Sequence, residues 1–328
     1  MKQPRISIVG AGQIGSRHLQ ALCLLEDPAR IDLVDPSNEA LQRAQKRFAE
    51  VSSPNKQSIE LHCHNNLDKL PDVLDLVIVA TNANIRMDVT LNIARKHSIK
   101  NFILEKALFQ KKEQYFTVEQ FLNERSIPTW VNCWMRTTDL FKQIKSALNL
   151  NDSIRMKIEG PRWGMGTNSI HFMDLFSYFT EKGDFEFTDV QLDGKIIESK
   201  RTGFKEFLGR MAGQNSRGDS LDLICRDEEE GPITLEIING PETYTMVTDF
   251  LDHVDFKSSN GLANSIGKAT FPRQSQLTHV WVKDILSQGS CDLPTYSASM
   301  PLHLELIRVL TDHFQQITGK NIDACPIT

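Results

Sequence analysis

Residues 5–17 of this 328-residue chain, RISIVGAGQIGSR, carry the strongest indication of its fold. An apolar run breaks into a G-x-G-x-x-G pattern at Gly10, Gly12 and Gly15, and a helical pattern follows directly. Between a buried strand and a helix, this pattern is typical of a dinucleotide phosphate loop. Gly10 permits the tight turn, Gly12 lets a pyrophosphate approach the backbone, and Gly15 lets the helix pack on the strand. The N–H groups and dipole of the helix start would hold the anion.

An acidic residue follows the loop at the interval that such a site requires. Residues 31–35 (IDLVD) predict the second strand, and Asp35 ends it about 20 residues beyond Gly15. A carboxylate there accepts from the ribose hydroxyls and repels a 2′-phosphate, so NAD is expected in preference to NADP. A glycine turn with a solvated aspartate is the alternative. The expected cofactor contacts are Gly10, Gly12, Gln13, Ile14, Gly15, Asp35, Thr81, Asn82, Glu105 and Lys106.

The composition excludes several classes of partner. Hydrophobic residues make up 40% of the chain and charged residues 24%, as in soluble globular proteins. The net charge of −5 and the lack of a basic cluster argue against nucleic acid. No apolar run approaches the roughly 20 residues of a membrane span. The first strand begins too early for a signal peptide, and six dispersed cysteines without a C-x-x-C pair predict a reduced, cytoplasmic protein.

The segment His62-Cys63-His64 invites a metal interpretation. On a strand, however, His62 and His64 share one face while Cys63 faces the other way, and no further ligands stand near in sequence. We therefore expect no metal site.

Strands that alternate with helices up to residue 136 predict a doubly wound parallel sheet, the Rossmann arrangement. Residues 74–80 (LDLVIVA) have the apolar character of a strand buried on both faces, and ligands bind where such strands end. From residue 137 to residue 328 the pattern predicts an α+β domain on a largely antiparallel sheet. There, the acidic run 227–230 is interpreted as a solvated hairpin turn between segments 221–225 and 233–238.

Lys106 directly follows the strand FILE, at the sheet edge where a nicotinamide ring would lie. Hydride transfer at a carbinol carbon requires a group that binds the oxygen and a path for the alcohol proton. A lysine that is partly desolvated there can donate to the oxygen and stabilise developing alkoxide. The alternative is a surface lysine paired with Glu105.

A predicted helix from about Ser169 to Thr180 carries the second candidate group. With Asn168 or Ser169 as its cap, His171 falls in the first turn, where the dipole favours a neutral imidazole that can accept a proton. His171 forms a polar stripe with Asp174 and Tyr178 beside an apolar face. A structural histidine is the alternative. Trp163, in the preceding loop, lines a pocket or simply packs, and Arg136 contacts cofactor or substrate or joins the domains.

Four motifs together resemble the Gfo/Idh/MocA oxidoreductases, the glucose-fructose oxidoreductase and inositol dehydrogenase family. They are GAGQIGSRH at the start, VATNANIR at the fourth strand, ILEKAL where the family has EKP, and NSIHFMDL where it has D-x-x-x-H and a further aspartate. The resemblance spans essentially the whole chain. It implies a nicotinamide cofactor in residues 1–136, and an open-faced sheet for substrate and for dimers or tetramers in residues 137–328. It also implies that Lys106 and His171 are catalytic.

Three positions depart from the family pattern. Ala107 replaces the proline of EKP, Thr167 stands where an aspartate would precede His171 by four residues, and Arg86 stands where a histidine is common. The absence of an aspartate at position 167 puts a His–Asp relay in doubt, and Asn168 is expected to take the place of that aspartate by hydrogen bonding to substrate.

These features predict an NAD(P)-dependent oxidoreductase that moves a hydride between nicotinamide and a secondary alcohol or ketone of a sugar, inositol or sugar derivative, nucleotide sugars included. Two alternatives stay open: a catalytically silent, dinucleotide-dependent sugar-binding regulator, and a redox-neutral NAD-dependent sugar-processing enzyme. The expected catalytic residues are Lys106, His171, Asp174 and Asn168, and the expected substrate contacts are Lys106, Arg136, Trp163, Asn168 and His171.

Overall fold

The computed structural model describes residues 3–249 and 254–328. Within these residues the helices are α1 (Gln13–Leu22), α2 (Asn38–Glu50), α3 (Ala83–Lys96), α4 (Lys112–Glu124), α5 (Asp139–Ala147), α6 (Met165–Thr180), α7 (Leu262–Ile266), α8 (Thr278–Gln288) and α9 (Tyr296–Thr318). The strands are β1 (Arg5–Val9), β2 (Ala29–Val34), β3 (Ile59–His64), β4 (Val73–Leu74), β5 (Leu76–Val79), β6 (Ser98–Ile99), β7 (Phe102–Leu104), β8 (Thr129–Val131), β9 (Ile154–Pro161), β10 (Glu186–Leu192), β11 (Ile197–Glu198), β12 (Lys205–Glu206), β13 (Gly209–Gln214), β14 (Ser220–Arg226), β15 (Ile233–Asn239), β16 (Glu242–Thr248) and β17 (Val254–Ser258).

The chain forms two compact units, each assembled from separate segments. Unit 1 comprises Met1–Phe109, Glu113–Asn132 and Pro272–Tyr296, and unit 2 comprises Gln110–Lys112, Cys133–Phe271 and Ser297–Thr328. The division differs in one main respect from a single boundary after residue 136, because the segment with α8 returns to unit 1. In this returning segment the carbonyl of Pro294 accepts a hydrogen bond from the N–H of Val131 in β8 at 2.9 Å.

Unit 1 contains a six-stranded sheet in the order β3-β2-β1-β5-β7-β8, and every pairing in it is parallel. The chain moves outward from β1 in one direction and then returns to build on its other side. The strand order therefore reverses between β1 and β5, where a parallel sheet opens a crevice at its C-terminal edge. The four residues of β5 are all buried, as the apolar run predicts. Val73 and Leu74, just before β5, pair with β6 instead.

Unit 2 contains a seven-stranded mixed sheet in the order β10-β13-β14-β9-β15-β16-β17. Its pairings are antiparallel apart from that between β9 and β14. Alternate residues of β14, β15 and β16 are buried, and α6 packs against β9 and β14. The parallel sheet and the mixed, largely antiparallel sheet confirm the predicted fold class.

The acidic run 227–230 is exposed, but the hairpin interpretation of it is wrong. Strand β9 lies between β14 and β15, so the segment that contains the acids crosses the end of β9 instead of making a tight turn. Apolar alternation specifies that a segment is a strand and which face it buries, but not which strand lies beside it. Arg162, just past β9, pairs with Asp227 and Glu229 in this crossing segment.

Helix α6 begins at Met165, a full turn earlier than the sequence predicts. Its N-cap is Gly164, with φ of +80°, so neither Asn168 nor Ser169 caps it. His171 consequently lies in the second turn, and the argument from the helix dipole for a neutral imidazole does not hold there.

Candidate functional site

Each of the three glycines of the phosphate loop is required at its position for a different structural reason. Gly10 has φ of +101°, and a Cβ on it would lie 2.9 Å from the backbone of Ala80. A Cβ on Gly15 would lie 1.7 Å from the carbonyl oxygen of Gly10, because α1 packs tightly on the turn. A Cβ on Gly12 would meet nothing within 4 Å. Gly12 therefore faces open space, as required where a phosphate group approaches the backbone.

The start of α1 adds donors beside that space. Gly12 is the N-cap, and no side chain caps this helix. Gln13 and Ile14 follow in the first turn, where backbone N–H groups have no partner inside the helix and the dipole attracts an anion.

A cleft of about 580 Å³ lies at the C-terminal ends of β1, β2 and β5. Five of the expected cofactor residues line it, namely Gly10, Gly12, Asp35, Thr81 and Asn82. Glu105 and Lys106 follow β7, the next strand along the sheet from β5. The predicted contacts thus lie along one edge of a single sheet.

Asp35 presents a fixed carboxylate at the end of β2. Its Oδ2 accepts from the N–H of Ala11 at 2.7 Å and its Oδ1 from the N–H of Ser37 at 2.8 Å. Among the described residues that line the cleft, the one cation is Lys96, whose Nζ lies 2.7 Å from a carboxylate oxygen of Asp68. The open approach at Gly12 and this carboxylate fit an NAD dinucleotide, and the lining offers a 2′-phosphate no unpaired cation.

Glu105 belongs to a buried hydrogen-bond network inside unit 1. Its Oε1 is 2.9 Å from Nε2 of His18 and also accepts from Nδ2 of Asn132. Nδ1 of His18 lies 2.8 Å from the hydroxyl of Thr278, and Gln274 bridges Asn132 and Thr278, each at 3.0 Å. These bonds are all satisfied when His18 carries its proton on Nε2 and Thr278 donates to Nδ1.

The charge of Glu105 is set by this network. Burial by itself would raise the pKa of Glu105, but hydrogen bonds from His18 and Asn132 and the nearby charge of Arg86 hold it below its ordinary value. The carboxylate that the alternative interpretation assigned to Lys106 is thus held by other partners.

Lys106 is half-buried, and its peptide bond to Ala107 is cis. Arg86, on α3, is 1% exposed, and its guanidinium donates to the carbonyl oxygens of Ala107, Leu108 and Thr81. The backbone just after Lys106 is therefore tied to the loop after β5.

In unit 2, the predicted polar stripe of α6 is present and Arg136 completes it. His171 is 5% exposed, and its ring packs edge-on against Trp134, with ring centroids 6.0 Å apart. Nη1 of Arg136 lies 3.3 Å from Oδ1 of Asp174, and the guanidinium sits 4.7 Å from the ring centroid of Tyr178. We call Arg136, His171, Asp174 and Tyr178 the α6 polar cluster.

Asp174 has an unusual protonation equilibrium. Burial raises the pKa of its carboxyl to about 7, although the charge of Arg136 opposes the shift. Its Oδ2 has no hydrogen-bond partner in the described parts of the chain. A buried carboxyl that exchanges a proton near neutral pH, one turn from a histidine, is suited to proton handling.

Side-chain hydrogen bonds hold the loop before α6 and the first turn of that helix. The Asn168 amide donates to the carbonyl of Trp163 at 2.7 Å, and the Trp163 indole donates to the carbonyl of Ile224 at 2.8 Å. Thr167 donates from both its N–H and its hydroxyl to the carboxylate of Glu206. Trp163 is buried, and its contact with a substrate stays a prediction.

Sequence reasoning missed several of these partners. His18 was visible as the last residue of GAGQIGSRH, but Gln274 and Thr278 are more than 250 residues away from it. Glu206 lies in a two-residue strand that gives no local signal. Arg86 was noted only as a departure from the family pattern, and its contacts became visible only in the structure.

The sequence predicts neither a metal-binding group nor a membrane-spanning helix. No three His, Cys, Asp or Glu residues of the described ranges are grouped so that they could hold a metal ion. His62 and His64 do share one face of β3, with their rings stacked at 6.5 Å. Among the described helices, none combines the length and the apolar character that crossing a membrane requires.

Residues 4–133 match the family model GFO_IDH_MocA, described as an oxidoreductase family with an NAD-binding Rossmann fold. No curated protein matches the sequence. The chain is similar in structure to the WlbA dehydrogenase of Bordetella pertussis, solved with NADH and UDP-GlcNAcA, with a TM-score of 0.71, 14% identity and 99% of both chains covered.

Two further solved structures have the same fold. The UDP-N-acetylglucosamine 3-dehydrogenase GnnA of Acidithiobacillus ferrooxidans gives a TM-score of 0.65 at 14% identity, covering 94% of this chain and 97% of that one. A super-repressor mutant of Gal80p from Saccharomyces cerevisiae gives 0.67 at 12% identity, covering 98% and 100%. At these identities the similarity establishes the fold alone.

Proposed function

We propose that this chain, whose residues 4–133 belong to the Gfo/Idh/MocA oxidoreductase family, is an NAD-dependent dehydrogenase or reductase acting on a secondary alcohol or ketone of a sugar, inositol or sugar derivative. The observation that carries the proposal is the cleft of unit 1. There Gly12 leaves the backbone open at a helix N terminus, and Asp35 holds a carboxylate at the end of the next strand. Bound nicotinamide would supply the hydride acceptor or donor.

Lys106 is the proposed hydrogen-bond donor to the reacting oxygen. It is half-buried, and the adjoining Glu105 has its carboxylate engaged by His18 and Asn132. An ammonium group in such a partly dry position stabilises negative charge on an alkoxide more strongly than it would in water.

His171 is the proposed proton acceptor for the alcohol, and the rest of the α6 polar cluster supports it. Asp174 lies three residues further along α6, so the two side chains are neighbours on the helix surface. Arg136 forms an ion pair with Asp174 and stacks on the ring of Tyr178. These contacts limit the motion of the Asp174 and Tyr178 side chains. Asn168 and Arg136 remain proposed substrate contacts, although each already has a protein partner.

The proposed substrate class is a sugar or polyol, with nucleotide sugars the first to test. The names of GnnA and of the WlbA complex both contain a UDP-sugar, which supports this order of testing. We also propose a cytoplasmic homodimer or homotetramer, without nucleic acid or membrane partners. The sheet of unit 2, with its partly exposed alternate residues, is the proposed interface.

The test is a fluorescence titration with NADH and NADPH, repeated with a panel of sugars, inositols and nucleotide sugars. We expect NADH to bind more tightly than NADPH, and one panel member to be converted with a change in NADH. Lys106→Ala should lower kcat by a factor on the order of 100 or more. Exposed Lys112→Ala is the matched control and should not. Absence of binding by either nucleotide, or full turnover by Lys106→Ala, would overturn the proposal.

A regulator without turnover is the second candidate, favoured by one observation. Thr167 stands where the family places an aspartate, and it is hydrogen-bonded to Glu206. Such a protein would bind NADH and a sugar together and leave both unchanged. A redox-neutral enzyme would instead convert its sugar with no net change in NADH. Analysis of the sugar after the titration therefore separates this enzyme from the regulator, and the change in NADH separates both from a dehydrogenase.

A further inference from the structure

We propose that Arg86 is a positioning residue for Lys106, and that it fixes the backbone carrying this lysine to the loop that carries Thr81 at the cofactor cleft. The inference rests on the proposed function only in assigning Lys106 a role. The contacts that carry it lie entirely within unit 1.

Arg86 reaches two loops at once because of where α3 begins. Asn82 is the N-cap of α3, so Arg86 lies in the first turns of the helix, directly after the loop that follows β5. One nitrogen, Nη1, donates to the carbonyls of Ala107 and Leu108, the latter at 2.9 Å, and Nη2 donates to the carbonyl of Thr81. Since β5 and β7 are adjacent parallel strands, the two loops are neighbours at the same sheet edge.

The guanidinium is suited to this position by its shape and its charge. It is planar and carries donors in a fixed fork, so one side chain can hold several carbonyls in a set arrangement. At 1% exposure its charge is buried, and hydrogen bonds to three carbonyls offset that burial. The carboxylate of Glu105 and the Arg86 guanidinium also attract each other electrostatically.

Lys106 therefore lies between two anchors. The residue before it, Glu105, is held through its side chain by His18 and Asn132. The residues after it, Ala107 and Leu108, are held through their carbonyls by Arg86. Alanine has no ring that would restrict its backbone as proline does, so the position of this segment depends on these hydrogen bonds.

Arg86 also sets where Lys106 lies relative to the cofactor. Thr81, whose carbonyl is the third acceptor, lines the cleft at the end of β5. Loss of Arg86 would release the Lys106 segment from that edge. A displacement of about 1 Å at a reacting group can lower a rate a hundredfold.

The test follows Lys106 directly and needs neither cofactor nor substrate. Lysines are labelled by reductive methylation with ¹³C-formaldehyde, and the Lys106 resonance is identified by its loss in Lys106→Arg. Its chemical shift and pH midpoint are compared in wild type, Arg86→Met, Arg86→Lys and Arg95→Met. Arg95 is an exposed arginine on the same helix and serves as the matched control. Thermal unfolding establishes that each variant is folded.

We expect the Lys106 resonance to shift in Arg86→Met, to shift less in Arg86→Lys, and to stay at its wild-type position in Arg95→Met. Once a substrate is known, kcat of Arg86→Met should fall about tenfold to a hundredfold with little change in KM. A folded Arg86→Met with a wild-type Lys106 resonance would overturn the inference. If this variant does not fold, Arg86→Gln, which keeps one amide donor group, decides the same comparison.

The two proposals fail separately. The Lys106 resonance is measured on the protein without nucleotide, whereas the proposed function fails when neither NADH nor NADPH binds. A shifted resonance in a protein that binds no nucleotide would leave the positioning role supported and remove the redox function.

Discussion

Arg136 and Asp174 form an ion pair at 3.3 Å in which the Asp174 side chain is 2% exposed and one carboxylate oxygen has no hydrogen-bond partner in the described chain. A single long contact does not offset the removal of a carboxylate from water, so the protonated form is favoured. The folded pKa of about 7 is raised above the ordinary 3.8. Below pH 4 both folded and unfolded chains hold this proton, and above pH 7 neither does.

Stability should therefore decrease with rising pH through the window from about 4 to about 7, as far as Asp174 determines it. In that window the folded chain binds the extra proton, so deprotonation destabilises it by at most about 1.4 kcal/mol per pH unit. We expect the stability of wild type relative to Asp174→Asn to fall across this window and to level off above it. Urea unfolding at a series of pH values measures the difference.

The control for this experiment is Asp312→Asn, an exposed aspartate of unit 2. Its stability relative to wild type should not follow the same curve. In Arg136→Met the pH range over which stability decreases should extend to higher pH, because the guanidinium lowers the pKa of Asp174. A difference between wild type and Asp174→Asn that does not change with pH would contradict the assignment.

Gly12 and Gly15 should respond in opposite ways to the same added methyl group. Gly12→Ala places a Cβ in open space, so the melting temperature should stay near wild type while NADH affinity falls about tenfold or more, since the methyl occupies the phosphate approach. Gly15→Ala places a Cβ 1.7 Å from a carbonyl oxygen and should destabilise the fold by about 1–3 kcal/mol or more. Thermal melts and NADH titrations of both variants measure this, and weakened folding of Gly12→Ala would refute the distinction.

Asp35 should determine the choice of nucleotide. Asp35→Ser removes the carboxylate that would accept from the ribose hydroxyls and repel a 2′-phosphate. Because a hydrogen bond to a charged group contributes about 1.5–3 kcal/mol, we expect NADH affinity to fall about tenfold or more and the preference over NADPH to shrink by a similar factor. Exposed Glu39→Gln, on α2, is the control. Unchanged preference in Asp35→Ser would mean that another group discriminates.

The parts of the molecule that local sequence could predict are those whose cause is local. The turn at Gly10 and the buried strand β5 follow from residue types at fixed spacing. Helix α6 is the counterexample. The N–H of Thr167 in its first turn donates to the carboxylate of Glu206, which comes from a separate hairpin, so the helix begins before any local cap signal.

The partners of Glu105 were unpredictable for the same reason. A buried carboxylate needs donors, but the sequence does not say which distant residues supply them. His18 and Asn132 lie on different elements from Glu105, and Thr278 stands 260 residues from His18. This network links Gln274 and Thr278 to the rest of unit 1, and the change of pattern at residue 136 could not indicate that residues 272–296 belong to that unit.

The contribution of residues 272–296 to the stability of unit 1 can be tested at Thr278, whose hydroxyl is hydrogen-bonded to two side chains. It lies 2.8 Å from Nδ1 of His18 and accepts from Gln274 at 3.0 Å, and the residue is fully buried. Thr278→Val keeps the shape but removes the hydroxyl that bonds to the buried Nδ1 of His18 and to the half-buried amide of Gln274. We expect it to lower the free energy of unfolding by about 1–3 kcal/mol, measured in urea. Thr278→Ser keeps the hydroxyl and should lose much less, so equal stability of the two variants would show that the hydroxyl contributes nothing there.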